Sequence, residues 1–271
     1  MTDTDKLKKD CYEMKLKAMD MAVSTSFGAH LGGGFSAMEI MRCLYEVAMI
    51  PSMKDEGRDR IIVSKGHGVL ALYTALWKRG FISEEDLATF ETDGTQFHGH
   101  AHRNIEKGIE FSGGSLGLGI SYAVGGAKAC KMKGLNNTIY VLLGDGEMDE
   151  GIVWEALMSI SNFGLNNMTL IIDRNKYQLD GPTSEIMKLN PLEEKLSSFG
   201  FDVNTVDGHS IEDLVVALPK IGDKPRAIIA NTVKANGISF LENNKISHQC
   251  TLSKKKYEQA IDEIWRAYNG E

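Results

Sequence analysis

"TIYVLLGDGEMDEGIVWEA" (residues 138–156) passes from an unbroken apolar run, through Gly-Asp-Gly, into a stretch with helical spacing. Six apolar or β-prone residues without polar alternation suit a strand buried on both faces, which is the habit of parallel sheets. Two more such runs follow, "MTLIID" (168–173) and "RAIIAN" (226–231). Helical patterns separate them, over 117–132, 150–163, 191–198 and 210–218, with a further strand at 201–206 and a closing helix over 253–268. Upstream, 5–23 reads as an amphipathic helix, and Ser36 with Glu39 reads as a capping box opening a helix through Tyr45. "RIIVSKGHGVLALYTALWKRG" (60–80) reads as strand, glycine turn and helix. Strands alternating with helices imply an α/β fold: a doubly wound, mostly parallel sheet with helices on both faces. No linker, repeat or low-complexity tract interrupts 1–271, so a single domain is expected.

In such a sheet, ligands gather beyond the carboxyl ends of the strands. Asp145 falls there, and so does "DRNKYQLDG" (173–181). If their strands are neighbours, Asp145 and Asn175 converge, with the backbone carbonyl near Tyr177 as a third oxygen donor. Carboxylate, amide and carbonyl oxygens suit a hard divalent cation that shares its other positions with phosphate and water. Flanking glycines allow the backbone to approach phosphate, and the helix starting near Glu150 turns its positive end toward it. Taken alone, Gly-Asp-Gly reads first as a turn before a helix with Asp as a cap; the pairing with "DRNKYQLDG", also at a strand end, shifts the balance.

Composition narrows the function. The 271 residues are 42% apolar and 25% charged, with net charge −7 and no run of Lys or Arg, which argues against nucleic acid as a partner. Cys11, Cys43, Cys130 and Cys250 form no Cys-x-x-Cys pair, so a disulfide frame or zinc site is not expected and a cytoplasmic location is. No apolar stretch reaches the roughly 18–20 residues of a membrane span, and the polar N-terminus does not read as a signal sequence. "GGSLGLG" (113–119) follows only a weak strand, "KGIEF", and has no acid placed to read a ribose, so it is poor evidence for dinucleotide binding.

"GDGEMDEG…WEA…DRNKYQLDG" resembles the thiamine-diphosphate motif, and the whole chain resembles the transketolase family. "GAHLGGGFS" (28–36), "SKGHGVLALYTAL" (64–76), "FHGHAHRN" (97–104), "GSLGLGISYAVGGA" (114–127) and "NTVKANGISFLENN" (231–244) fall in family order. The resemblance implies thiamine diphosphate as cofactor, with Mg²⁺ or Ca²⁺ held by Asp145, Asn175 and the carbonyl of Tyr177. It implies cofactor contacts from His67, Gly114, Ser115, Leu116, Gly146, Glu147 and His248. His30 and His248 would handle the hydroxyls and protons of a bound sugar, and His100 the C1 hydroxyl of the two-carbon unit. His98 and His102 read as loop scaffolding, and His209 as a residue just ahead of a Ser210 cap. Imidazole suits such work because it exchanges protons near neutrality.

Full transketolases carry three domains, and these motifs belong to the first. The resemblance therefore implies half an enzyme: an N-terminal subunit whose separate C-terminal subunit brings the cofactor-activating glutamate, most simply as an α2β2 assembly. Ketol transfer from a ketose to an aldose, or between their phosphates, is the implied reaction. Leu118 stands where the family commonly has Gln, His100 lacks its usual following proline, and "HQCTLS" replaces a Gly-Ala-Pro-like turn. A modified or branched sugar fits these departures as well as pentose phosphates do. The alternatives are a subunit of another thiamine-diphosphate enzyme, of 2-oxo acid dehydrogenase or deoxyxylulose-phosphate synthase type, and a non-catalytic cofactor-binding module.

Overall fold

The structure is a computed structural model and describes residues 3–219 and 222–270. Its sheet has five strands: β1 (Arg60–Val63), β2 (Ile139–Gly144), β3 (Met168–Arg174), β4 (Asp202–Asp207) and β5 (Arg226–Asn231). They lie in the order β1-β2-β3-β5-β4, every pairing parallel. The three apolar runs form the three central strands. Alternate residues of each feed two cores: Tyr140, Leu142, Ile171 and Ile228 face one layer, and Val141, Leu143, Leu170, Ile172 and Ile229 the other.

Over the first face pack α1 (Thr4–Ser24), α2 (Leu31–Ser36), α3 (Met38–Val47), α4 (Val69–Lys78), the short α5 (Glu84–Ala88) and, further along the chain, α10 (Ile211–Ala217) and α11 (Lys254–Asn269). Over the second pack α6 (Leu118–Met132), α7 (Gly151–Asn162) and α9 (Leu192–Ser198), while α8 (Thr183–Ile186) is a single turn beyond β3. Caps explain several boundaries. Asp3 accepts from the Lys6 amide ahead of α1, Ser210 from Asp213 ahead of α10, and Ser253 from Lys256 ahead of α11. No helix among the described residues is long and apolar enough to cross a membrane.

Four local expectations are corrected. Ser36 caps nothing: it ends α2, is fully buried, and donates from Oγ to Asp173 Oδ2 at 2.6 Å. Glu39 is left to pair with Lys15 (2.8 Å) and His209 (3.0 Å), so His209 does more than precede a cap. "KGIEF" contributes only an isolated bridge, Asn104 to Ile109. The helix expected from 150 starts at Gly151, after a 3-10 turn over Gly146–Asp149. The α5 turn adds to the expected elements. Ser83 and Asp86 form a complete capping box there, but five residues are too few to show a period.

Candidate active site

Register builds the site. Gly144 pairs with Asp173, so β2 and β3 end level and deliver Asp145 and Asn175 to the same place. The two turns are stitched together: the Asp145 amide donates to the Asp173 carbonyl (3.2 Å), and the Lys176 amide donates to Asp145 Oδ2 (2.6 Å). Asp145 Oδ1 accepts the Gly146 amide at 2.9 Å, and Asn175 Oδ1 accepts the Tyr177 amide at 3.0 Å. Asp145 and Asn175 are both buried, and with Tyr177 they line a cavity of about 290 Å³. Gly146 is required by its neighbours, since a Cβ there would meet Gln178 Cβ at 2.8 Å.

Opposite these oxygens stand the histidines. His67 lies in the 3-10 turn Gly66–Gly68 that follows β1. His100 comes from the long loop, where Gly113 donates to the Ala101 carbonyl (2.9 Å). His30 and His248, far apart in sequence, are joined by an antiparallel bridge between Ala29 and Cys250. The His30 ring lies 4.9 Å from His100 and 5.5 Å from His248, and His67 lies 5.2 Å from His248. Gly66 permits this packing, because a Cβ there would meet the Gly114 amide nitrogen at 2.8 Å and His100 Cδ2 at 3.0 Å.

The cavity wall includes His67, His100, Gly114, Leu116, Asp145, Gly146, Glu147, Asn175, Tyr177 and His248. His30 stands behind it through its ring contacts, and Ser115 is exposed and outside it. Glu147 lines the wall but is already engaged: its carboxylate accepts from Ser64 Oγ (2.5 Å) and from the Gly117 (2.8 Å) and Gly144 (3.1 Å) amides. It ties three site-bearing loops together, with Oε1 accepting two of those bonds and Oε2 one.

The donor set suits a divalent cation. Burial, reinforced by the neighbouring Asp173 carboxylate, raises Asp145 to about 7, a penalty that a cation on its remaining lone pairs would relieve. Gln178 Oε1, also in the wall, is buried without a hydrogen-bond partner. Among the described residues no cluster of three His, Cys, Asp or Glu groups could hold a metal, so a cation here relies on amide and carbonyl oxygens beside a single carboxylate.

The profile of the transketolase thiamine diphosphate binding domain matches residues 8–266. The chain belongs to the transketolase family. A 6-deoxy-6-sulfo-D-fructose transketolase subunit of a Clostridium species is 40% identical over 241 residues, spanning 87% of this chain and 88% of that protein. An apulose-4-phosphate transketolase subunit of Actinobacillus succinogenes is 36% identical over 265 residues, 96% of each. The crystal structure of Campylobacter jejuni transketolase superposes with a TM-score of 0.87 at 28% identity; the match covers 98% of this chain and 43% of that one. The chain thus spans less than half the length of that larger transketolase.

In this transketolase-family site, three buried charged groups escaped the sequence reading. Lys65 and Asp173, both fully buried, form an ion pair beneath the cavity. Lys234 is also buried, and its Nζ donates to the Gln178 carbonyl at 3.2 Å. Burial and Lys65 pull Lys234 down to about 8, against the opposing pull of Asp145 and Asp173. Lys234 thus stands behind Gln178, a residue of the cavity wall. Lys65 and Lys234 stand inside recognised motifs, but only the sheet register reveals what each faces.

The histidines are held neutral. Burial, then His100 and His248, lowers His30 to about 4; burial and Lys234 lower His248 to about 4. Burial also depresses His67 and His100. An unfolded histidine takes its proton near pH 6.5, so acidification favours the unfolded chain first. The neutral ring's stabilisation is complete above pH 6.5 and is lost as pH falls toward 4. We expect His30→Asn to flatten this loss by on the order of 3 kcal/mol at pH 4. Urea unfolding of both proteins from pH 7 to 4 measures it; parallel curves would contradict the burial argument. Taking the difference between the two proteins removes the opposing contribution of Asp145.

Proposed function

We propose that this chain is the thiamine-diphosphate-binding subunit of a two-chain transketolase, spanning 1–271 as one domain and working in the cytoplasm. It would move a two-carbon ketol unit from a ketose, or ketose phosphate, to an aldose acceptor. The observation that carries the reading is the convergence in one cavity of Asp145, Asn175 and Tyr177 with His67, His100 and His248, against which the His30 ring packs from behind. Near end-to-end matches to separate transketolase subunits support the two-chain part.

Bound thiamine diphosphate would supply the carbanion equivalent that cleaves and forms the carbon–carbon bond. The protein's own contribution follows from the geometry. Asp145, Asn175 and the Tyr177 carbonyl would hold Mg²⁺ or Ca²⁺ against the diphosphate, with Lys234, His67 and the Gly114–Leu116 and Gly146 backbone as further contacts. Being neutral, His30, His100 and His248 can each donate one proton and accept another. That suits the hydroxyls of a sugar, whose protons move as the bond breaks and reforms. Substrate grip on a distal phosphate or sulfonate is assigned to the partner subunit. The relatives named for a sulfonated and a branched sugar make a non-standard ketose a reasonable donor.

The test is reconstitution. The lone chain with thiamine diphosphate and Mg²⁺ is expected to give no ketol transfer, and addition of the complementary subunit to restore it, at a stoichiometry read by mass photometry. Turnover by the lone chain would refute the split. Binding without turnover in the complete assembly would favour the non-catalytic module.

A further inference from the structure

Asp145 also borders a second cavity, of about 410 Å³, whose wall holds no histidine. That wall is cationic: Arg174, Lys176 and Lys188, with the hydroxyls of Thr183 and Ser184 and the amide of Asn231. Arg174 is spoken for, donating to Asn231 Oδ1 (2.7 Å) and Glu193 Oε1 (2.8 Å), which fixes its plane. The Lys176 and Lys188 ammoniums pair with no acid among the described residues, and the Thr183 and Ser184 hydroxyls make no hydrogen bond there. Asp145 is the acid in the wall, and both of its oxygens already accept backbone amides.

The backbone fixes where Lys176 stands. Lys176 has φ 65°, the left-handed region, where a side chain costs about 1–2 kcal/mol that glycine would not. The Lys176 amide has its own task, holding Asp145 Oδ2 at 2.6 Å, while its carbonyl accepts the Thr183 amide at 3.0 Å. Those bonds fix the turn for any residue with an amide. The turn thus holds the exposed Lys176 side chain at the rim of this cavity.

We propose that this cavity is a second anion site, specific for a phosphate group, gripped by Lys176 and Lys188 and hydrogen-bonded by Thr183 and Ser184. Two ammoniums and two hydroxyls match the charge and acceptor count of a phosphate or its monoester. The ligand is either inorganic phosphate or a small sugar phosphate. It would bind one residue away from Asn175, on the turn that carries the candidate cation donors.

The test is calorimetric titration of the full chain, saturated with thiamine diphosphate and Mg²⁺, using inorganic phosphate and ribose 5-phosphate as probes. Wild type is expected to bind at this cavity. Lys188→Met should weaken that binding by about tenfold or more, the loss of one charge-assisted bond. Lys176→Met/Lys188→Met should abolish it, and Lys188→Arg should retain most of it. Tighter binding of the ester assigns a sugar phosphate, and equal affinity assigns free phosphate. Isotherms that do not differ between wild type and the double variant, with both proteins melting alike, would overturn the site. The test rests on the proposed function only for cofactor saturation; the difference between wild type and the double variant reads this cavity whether or not the assembled enzyme turns over.

Discussion

Asp145→Asn is expected to weaken binding of thiamine diphosphate with its divalent cation by about a thousandfold or more, while raising the melting temperature of the cofactor-free chain. The two effects have one cause. Asp145 is a buried carboxylate beside the buried Asp173, and its two oxygens accept only the Gly146 and Lys176 amides from the protein. Without a cation, ionising it is unfavourable, hence its rise to about 7. The unfolded carboxyl ionises near 3.8, so the folded state is penalised progressively from pH 4 to 7, and fully above that. Asparagine removes the charge but can serve only one of the two amides, leaving a net gain of about 1–2 kcal/mol, or about 3–6 °C. With the charge gone, a divalent ion keeps only neutral oxygens, which accounts for the lost affinity. Calorimetry for cofactor and thermal melts at pH 5 and 8 test both halves. A variant that is less stable than wild type at pH 8 would contradict the account.

The second large effect lies beneath the first. Lys65→Met is expected to destabilise the chain by about 3–5 kcal/mol, a fall of about 10 °C or more. Lys65 Nζ pairs with Asp173 Oδ2 and also donates to the Gly33 carbonyl at 3.1 Å. Asp173 is completed by the hydroxyls of Ser36 and Thr232. Removing the lysine leaves a buried carboxylate with hydroxyls but without its directly paired cation, next to the buried Asp145. Removing both charges costs less than removing one, because the desolvation of each ion is avoided. Lys65→Met/Asp173→Leu should therefore recover part of the loss. Urea unfolding of the two single variants and the double variant decides; additive losses would show that the pair is not the source.

The motifs and their order were legible because they are local. "TIYVLL", "MTLIID" and "RAIIAN" are apolar on both faces, and only a central parallel strand accommodates that, so the layered α/β fold could be read directly. The placement of Asp145 and the 175–177 turn at one end of the sheet was legible too, since each follows such a strand. Ser36 marks the limit. Its spacing to Glu39 satisfies a capping box, but the same hydroxyl gains more from the buried Asp173 carboxylate on β3. A local cap bond stabilises modestly, whereas a buried carboxylate without partners is costly.

The amino-acid order by itself determined the strand and helix sequence, the glycines that allow close approach, and which side chains carry oxygen or imidazole chemistry. Tertiary structure alone decided which of them meet: β2 and β3 ending level, Ala29 bridging Cys250, Glu147 turning inward to tie three loops, and Lys65 finding Asp173. The physical reason is range. Periodicity and capping act over a few residues, whereas burial of charge and pairing of strands depend on segments brought together only by the folded sheet.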